Sequence, residues 1–308
     1  MSAYRLLNLV LLLVMPFLLV GLINRVKSLW SGRRGPPIWQ LLFDVLRLLR
    51  KSSVYSTTTT PVFRVAPYVI LVSSLASAAI VPLTGAAPLV AFPFDFVFLA
   101  YVWGLGRVAM MLAALDTGSP FEGMGAAREA TFSTLIEPAL FLVIGALGLL
   151  SGTHVFSEAL APALNGGSAI AIWAAAIVAL GVVLQVEAAR LPIDDPTTHL
   201  ELTMVHEVMI LDHSGPDLAI LQYAAGLKLT ICAALIAGLL NPVSWATQPW
   251  LAAGVSLGLV LAVAVLVGCV ESLIARIRMK AIPRYTAIAM VSGVLALILV
   301  VLRSKGSP

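Results

Sequence analysis

Hydrophobic and polar positions divide the chain into eight continuous apolar runs, at residues 4–23, 66–83, 94–115, 132–151, 168–187, 218–240, 250–274 and 285–302. Each is close to the roughly 20 residues a helix needs to cross the hydrocarbon layer. Lipid admits only helices or closed barrels, because backbone groups must be satisfied internally. The runs do not alternate in polarity, so they predict helices. The expected fold class is therefore all-α: one polytopic integral membrane domain over residues 1–308, with about eight transmembrane helices. The first run lacks a small-x-small cleavage site and continues into Asn24-Arg25-Val26-Lys27, so it reads as a retained span.

A shorter pattern lies in the loop at residues 24–65, in the segment RRGPPIWQLLFDVLRLLRKSSVY. Ile38, Leu41, Leu42, Val45, Leu46, Leu48 and Leu49 alternate at helical spacing with Gln40, Asp44, Arg47, Arg50 and Lys51. At about 13 residues the segment is too short to span. It predicts an amphipathic helix on the membrane surface, started by Pro36-Pro37.

Composition agrees. The chain is 60% hydrophobic and 11% charged, against roughly 25% charged in soluble domains. The loop after the first run carries Arg25, Lys27, Arg33, Arg34, Arg47, Arg50, Lys51 and Arg64, and the loop after the seventh carries Arg276, Arg278, Lys280 and Arg284. The loops at 84–93, 152–167 and 241–249 have no Lys or Arg. The bias puts the basic loops in the cytoplasm and both termini outside. It also accounts for most of the net charge of +4, which therefore does not point to nucleic acid. Cys232 and Cys269 lie in apolar runs, and two thiols fall short of the four ligands of an ordinary iron–sulfur cluster. The sequence contains no phosphate loop, dinucleotide fingerprint or metal motif.

The ionisable groups are not scattered. Residues 188–217 form a charged loop that, with Glu187, holds Asp194, Asp195, Glu201, Glu207, Asp212 and Asp217, and also His199, His206 and His213. Glu187 and Arg190 have the spacing of a helical pair. Asp195 and Pro196 predict a helix start, with a helix running to about Leu211. On that helix the histidines, seven apart, form a hydrogen-bonded or titrating row rather than a metal site. Arg107 sits near the end of the third run, followed by a tight turn at Asp116, Gly118, Ser119 and Pro120, and by Gly123 and Gly125, which permit a bend. Glu137, Glu187, Lys228 and Glu271 are charges within four different spans. Charged side chains avoid lipid, so they are expected to converge inside the bundle, as structural pairs or as a proton relay. His154 and Glu158 read as a surface pair.

Five stretches then follow one pattern in order. They are Arg33-Arg34-Gly35-Pro36-Pro37 with Gln40 and Asp44; Leu115 to Phe121 with Gly125-Ala126-Ala127-Arg128-Glu129; Glu137-Pro138; Pro192-Ile193-Asp194 with Glu201-Leu202 and Ser214-Gly215-Pro216; and Glu271 to Arg278. The chain resembles, over essentially its whole length, the membrane subunit of group 4 nickel–iron hydrogenases, called subunit 4 in formate hydrogenlyase and component C in hydrogenase-4. That family is related to subunit 1 of respiratory complex I. One departure stands out: the family pattern carries several Glu where this chain has Asp195, Pro196, Thr197, Thr198 and His199. The histidines are the groups that would replace those acids.

The resemblance implies a subunit of a bacterial or archaeal inner-membrane oxidoreductase that is not catalytic alone and holds no cofactor of its own. Nickel–iron and iron–sulfur centres would sit in hydrogenase-like large and small subunits and an iron–sulfur subunit; antiporter-like membrane subunits would be further partners. The implied charge network is Glu137, Glu187, Arg190, Asp194, Asp195, Glu201, Lys228 and Glu271. The implied docking set is Arg33, Arg34, Asp116, Arg128, Glu129, His199, His206, Glu207, Arg276 and Arg278. The competing expectations are a quinone-site subunit of a complex I-like NADH dehydrogenase and, more weakly, a stand-alone ion transporter, for which the chain lacks an internal repeat.

Overall fold

The computed structural model describes residues 3–85, 88–160, 167–194, 204–243, 245 and 247–306; among them the chain forms helices and turns and no strand. In chain order these are α1 (Ala3–Trp30), α2 (Gln40–Leu48), α3 (Pro61–Ile80), α4 (Asp95–Asp116), α5 (Pro120–Ser151), α6 (Phe156–Ala159), α7 (Gly167–Glu187), α8 (His206–Met209), α9 (Gly215–Leu240), α10 (Pro249–Leu273) and α11 (Ile282–Gly306). Eight of them are long and apolar enough to cross a membrane, and all eight lie on the expected apolar runs. The chain is a multi-pass membrane protein.

Helix α9 is the axis of the bundle: 78% of its span is buried, against 28% for α11. It packs on α1, α2, α3, α7 and α10, while α3 lies along α4 and α11 fits between α5 and α7. Exposed apolar side chains such as Val72, Tyr101, Leu105 and Val291 cover the outside, as expected of a surface that faces hydrocarbon.

The helix ends are where the structure departs from the pattern. Helix α5 begins at Pro120, well before residue 132. At about 1.5 Å per residue its 32 residues run roughly 48 Å, longer than the hydrocarbon layer, so its first turns project from the basic end of the bundle. Gly123 and Gly125 lie inside this helix and make no bend. Gly125 instead admits a neighbour, since a Cβ there would stand 3.0 Å from the Val205 carbonyl oxygen. Helix α2 starts at Gln40, after an extended lead-in through Pro36 and Pro37; the Gln40 side-chain amide donates to the Asp44 carboxylate at 2.9 Å and secures the first turn. Its apolar residues Phe43 and Leu46 face outward. The long helix expected up to Leu211 is not present in its described part. Asp195 and residues 196–203 lie outside the described residues, Met204 and Val205 are not helical, and α8 is a single turn.

The loops at each end are tied to one another. At the basic end, Asp116 Oδ2 accepts from the Thr60 and Phe63 amides at 2.7 and 3.3 Å, so the end of α4 caps α3. The Val54 amide donates to Ser214 Oγ at 2.9 Å, and the Ile277 amide donates to the Pro192 carbonyl at 3.1 Å. At the other end, Asp95 Oδ1 accepts from the Phe156 amide at 2.8 Å, and Thr84 donates to Asn8 Oδ1 at 2.7 Å.

One close approach fixes α1 against the loop before α2. A Cβ on Gly21 would fall 1.7 Å from the Ile38 carbonyl oxygen, whereas one on Gly145 meets nothing within 4 Å. Gly21→Ala is expected to lower the thermal midpoint in detergent, because backbone must move to admit the methyl. Gly145→Ala should leave the midpoint unchanged or raise it slightly, since alanine favours helix by about 0.5–1 kcal/mol. Equal midpoints for the two variants would remove this constraint.

Candidate functional site

The centre of the site is Arg107, on α4 and 4% exposed. A guanidinium in an apolar bundle is stable only with carboxylates around it. It has three. Its Nε stands 3.4 Å from Glu129, and its two terminal nitrogens pair with Glu137 and Glu187. Glu129 and Glu137 lie about two helical turns apart on α5, which places them on similar faces; Glu187 is the last residue of α7. The buried Lys228, on α9, acts electrostatically on Glu187 and Glu129. Three carboxylates against two cations leave an excess of one negative charge if all are ionised. Groups this close titrate together, so the cluster can hold and release a proton.

Arg107, Glu129, Lys228 and His206 line a small cavity beneath Met209, open to a water-sized centre over about 10 Å³. That is room for about one water. Glu137 stands at the edge, its side chain 46% exposed on the flank of the bundle. The cluster thus runs from an enclosed pocket under the loop to the protein's lateral surface.

A second cluster lies beside it. Glu271 of α10, fully buried, takes Lys27 Nζ at 2.9 Å and Arg190 at 3.5 Å. The expected pairing of Glu187 with Arg190 is therefore corrected. Helix α7 stops at Glu187, and Ala189 adopts a left-handed φ of 48°. That turns Arg190 off the helix face and toward α10, leaving Glu187 to Arg107. The four spanning charges consequently form two centres rather than one: Glu137, Glu187 and Lys228 gather around Arg107, and Glu271 stands apart.

Asp194 clamps the loop over both centres. One oxygen accepts from Arg276 at 3.1 Å; the other accepts from the Val205 and His206 amides at 3.1 and 2.9 Å. Asp194, rather than Asp195, thus caps the helical turn that carries His206. Arg128 donates to the Met204 carbonyl at 2.7 Å. Glu122, buried on the projecting turns of α5, accepts from the Asp212 amide at 3.1 Å.

The expected docking set divides accordingly. Arg33, Arg34 and Arg278 are exposed, while Arg128, Glu129, Arg276, His206 and Glu207 are half-buried in the loop and bundle, and Asp116 is engaged as a cap. His199 and Glu201 lie outside the described residues, as does Asp195. The single histidine row is not formed at its two described members. His206 faces the Arg107 cavity, whereas His213 stacks on Phe63 at 3.9 Å. His154 stacks on Phe94 instead of pairing with Glu158. Lys27 and Glu122 were not expected in the site, and Arg107 was not expected as its hub. The signal for Arg107 was available: a lone arginine inside an apolar run needs partners. Among the described residues no three His, Cys, Asp or Glu side chains gather as a metal site.

Both described histidines of the loop are held neutral. Burial lowers His206 from 6.5 to about 4, helped by Lys228 and opposed by Glu187. Burial likewise lowers His213 to about 4, opposed by Asp217. Between about 4 and 6.5 the unfolded chain binds more protons than the folded one, so stability falls as pH drops through that window. In His206→Gln/His213→Gln the thermal midpoint should fall less from pH 7 to pH 4 than in the parent. Identical pH profiles would show that neither ring is buried neutral.

Comparison with known proteins places this geometry. The family model described as NADH dehydrogenase matches residues 3–302. Hydrogenase-4 component C of Escherichia coli (strain K12) is 33% identical over 285 residues, covering 90% of this chain and 89% of the relative. Formate hydrogenlyase subunit 4 of the same strain is 29% identical over 292 residues, covering 92% and 93%. A membrane component of the NADH-quinone oxidoreductase of Bacteroides fragilis (strain ATCC 25285) is 25% identical over 234 residues, covering 73% and 64%. In fold, the chain matches one chain in the structure of the membrane-bound sulfane sulfur reductase, an archaeal respiratory membrane complex. The TM-score is 0.79 at 19% identity, over 95% of this chain and 98% of that one. With eight spanning helices, a family match over nearly its whole length and relatives of this kind, the chain belongs to the NADH dehydrogenase (complex I subunit 1) family of membrane subunits, the family that also holds hydrogenase-4 component C and formate hydrogenlyase subunit 4.

Proposed function

We propose that the chain is the non-redox membrane anchor and proton-coupling subunit of a formate hydrogenlyase/hydrogenase-4-type complex. The loop at residues 188–217 and the basic end of the bundle face the cytoplasm and receive a soluble nickel–iron hydrogenase-like arm with its iron–sulfur subunit. The flank that carries Glu137 faces antiporter-like membrane subunits. Both termini lie outside the inner membrane.

The observation that carries this reading is the placement of His206. It sits on the loop, its amide is held by Asp194, and its ring lines the cavity with Arg107, Glu129 and Lys228. A displacement of the loop by a docked partner would move His206 relative to that cluster. Proton affinity in a coupled cluster follows the positions of its charges, so loop motion would load or release a proton. Arg107 would pass the change to Glu187 and Glu137, across the bundle to its lateral surface. No electron carrier is needed in this chain for such a step. Its own residues hold and move protons, and the redox centres belong to partners.

A quinone-site role is the second reading, favoured by the relative that belongs to an NADH-quinone oxidoreductase. A cavity with room for about one water supports proton exchange over a site for a quinone ring.

The test is Glu187→Gln in the native complex. Assembly is read by native gel and proton movement by a pH dye in vesicles. Normal assembly with impaired proton movement is expected. Normal assembly with normal movement would remove Glu187 from the relay, and failed assembly would make it a structural counter-ion.

A further inference from the structure

A cleft at the basic end of α1 and α10 lies outside the charge centre. Lys27, Ser28, Trp30, Ser31, Arg33, Arg34, Gly35, Pro36 and Ser272 line it, and its volume is about 490 Å³. That is within the range of roughly 300–1,000 Å³ for small-ligand sites. Three of its lining residues are cations and none is acidic. The nearest carboxylate, Glu271, is fully buried behind Lys27 and is matched by Lys27 and Arg190 together. Arg33 and Arg34 are exposed and form no ion pair among the described residues. The cleft therefore presents an uncompensated positive field with hydroxyl donors from three serines.

Its position narrows the ligand. Leu29 and Trp30 are 65% and 56% exposed beside it, and tryptophan favours the headgroup level of a bilayer. Below it on α10, Leu266, Leu273 and Ile274 are exposed and offer an apolar track in the direction of the hydrocarbon. A ligand that suits both parts has an anionic phosphate head and acyl tails. We propose that this cleft binds the phosphate of an anionic inner-leaflet phospholipid, with Arg33 and Arg34 as its charged contacts, Ser28, Ser31 and Ser272 as further donors, and the tails along α10. Basic pockets between spanning helices recognise such headgroups through paired charge, with an attraction that falls as salt rises. The assignment moves Arg33 and Arg34 out of the set expected to dock a protein arm.

The test uses the full chain reconstituted in phosphatidylcholine vesicles with a minority of lipid brominated near the headgroup end of its acyl chains, either phosphatidylglycerol or phosphatidylcholine. The readout is the Trp30 fluorescence quenched, obtained by difference from Trp30→Phe. Brominated phosphatidylglycerol should quench Trp30 more strongly than brominated phosphatidylcholine at equal mole fraction, with selectivity falling about fivefold for loss of one basic contact. Arg33→Gln/Arg34→Gln should abolish the selectivity and Arg33→Lys/Arg34→Lys should keep most of it; should the Gln pair fail to fold, loss of the parent's selectivity at high salt reads the same property. Equal quenching by the two lipids would overturn the proposal. Loss of selectivity on adding inorganic phosphate, at constant ionic strength, would give the site to free phosphate instead. Absence of Trp30 quenching by either lipid in the intact complex would give this face to a protein partner.

Discussion

A guanidinium cannot remain charged within an apolar bundle unless carboxylates surround it, and this bundle is built around meeting that condition for Arg107. Its three acids come from α5 and α7, so those helices must stand at fixed heights and rotations against α4. Lys228 then brings α9 into the same field. Removing one member of such a set leaves an uncompensated buried charge, which typically costs about 3–5 kcal/mol. The geometry of four spanning helices is thereby tied to one electrostatic requirement.

The basic-end loops extend this requirement to the surface. Asp194 joins Arg276 to the turn carrying His206, Arg128 holds Met204, and Glu122 holds Asp212. Each bond fastens a spanning helix to the described part of the loop. A rigid frame with one charged loop latched over a nearly closed pocket is suited to converting a push on the loop into a change of proton affinity. The same frame leaves Arg33 and Arg34 outside the latch, which is why the lipid-facing cleft reads as a separate site.

The spans were legible because lipid imposes one pattern on every crossing helix, and each apolar run became a helix. Helix ends were less so. Residues 120–131 of α5 are polar enough to read as loop; they are helical because Pro120 starts them and Gly125 lets the 204–209 segment pack on them. The site was half legible. Glu137, Glu187 and Lys228 were recognisable as charges in apolar runs, and their meeting followed from the cost of exposing them to lipid. Which cation each acid would take was not, because sequence spacing suggested Arg190 for Glu187, and a left-handed residue at Ala189 redirects it. His206 was singled out by its repeat with His199 and His213, a periodicity that assumed a helix the chain does not form over residues 204–211. What placed His206 was its amide on Asp194, a contact between two loop positions that no periodicity encodes.

The claim that Arg107 and Glu187 depend on each other is tested most directly by a double-mutant cycle. Unfolding stability in detergent would be measured for the parent, Arg107→Ala, Glu187→Gln and the pair. Strong coupling is predicted, of about 1–3 kcal/mol, with the double variant more stable than the sum of the single losses implies. Additive losses would contradict it, because two residues that stabilise the bundle independently are not partners in one buried charge centre.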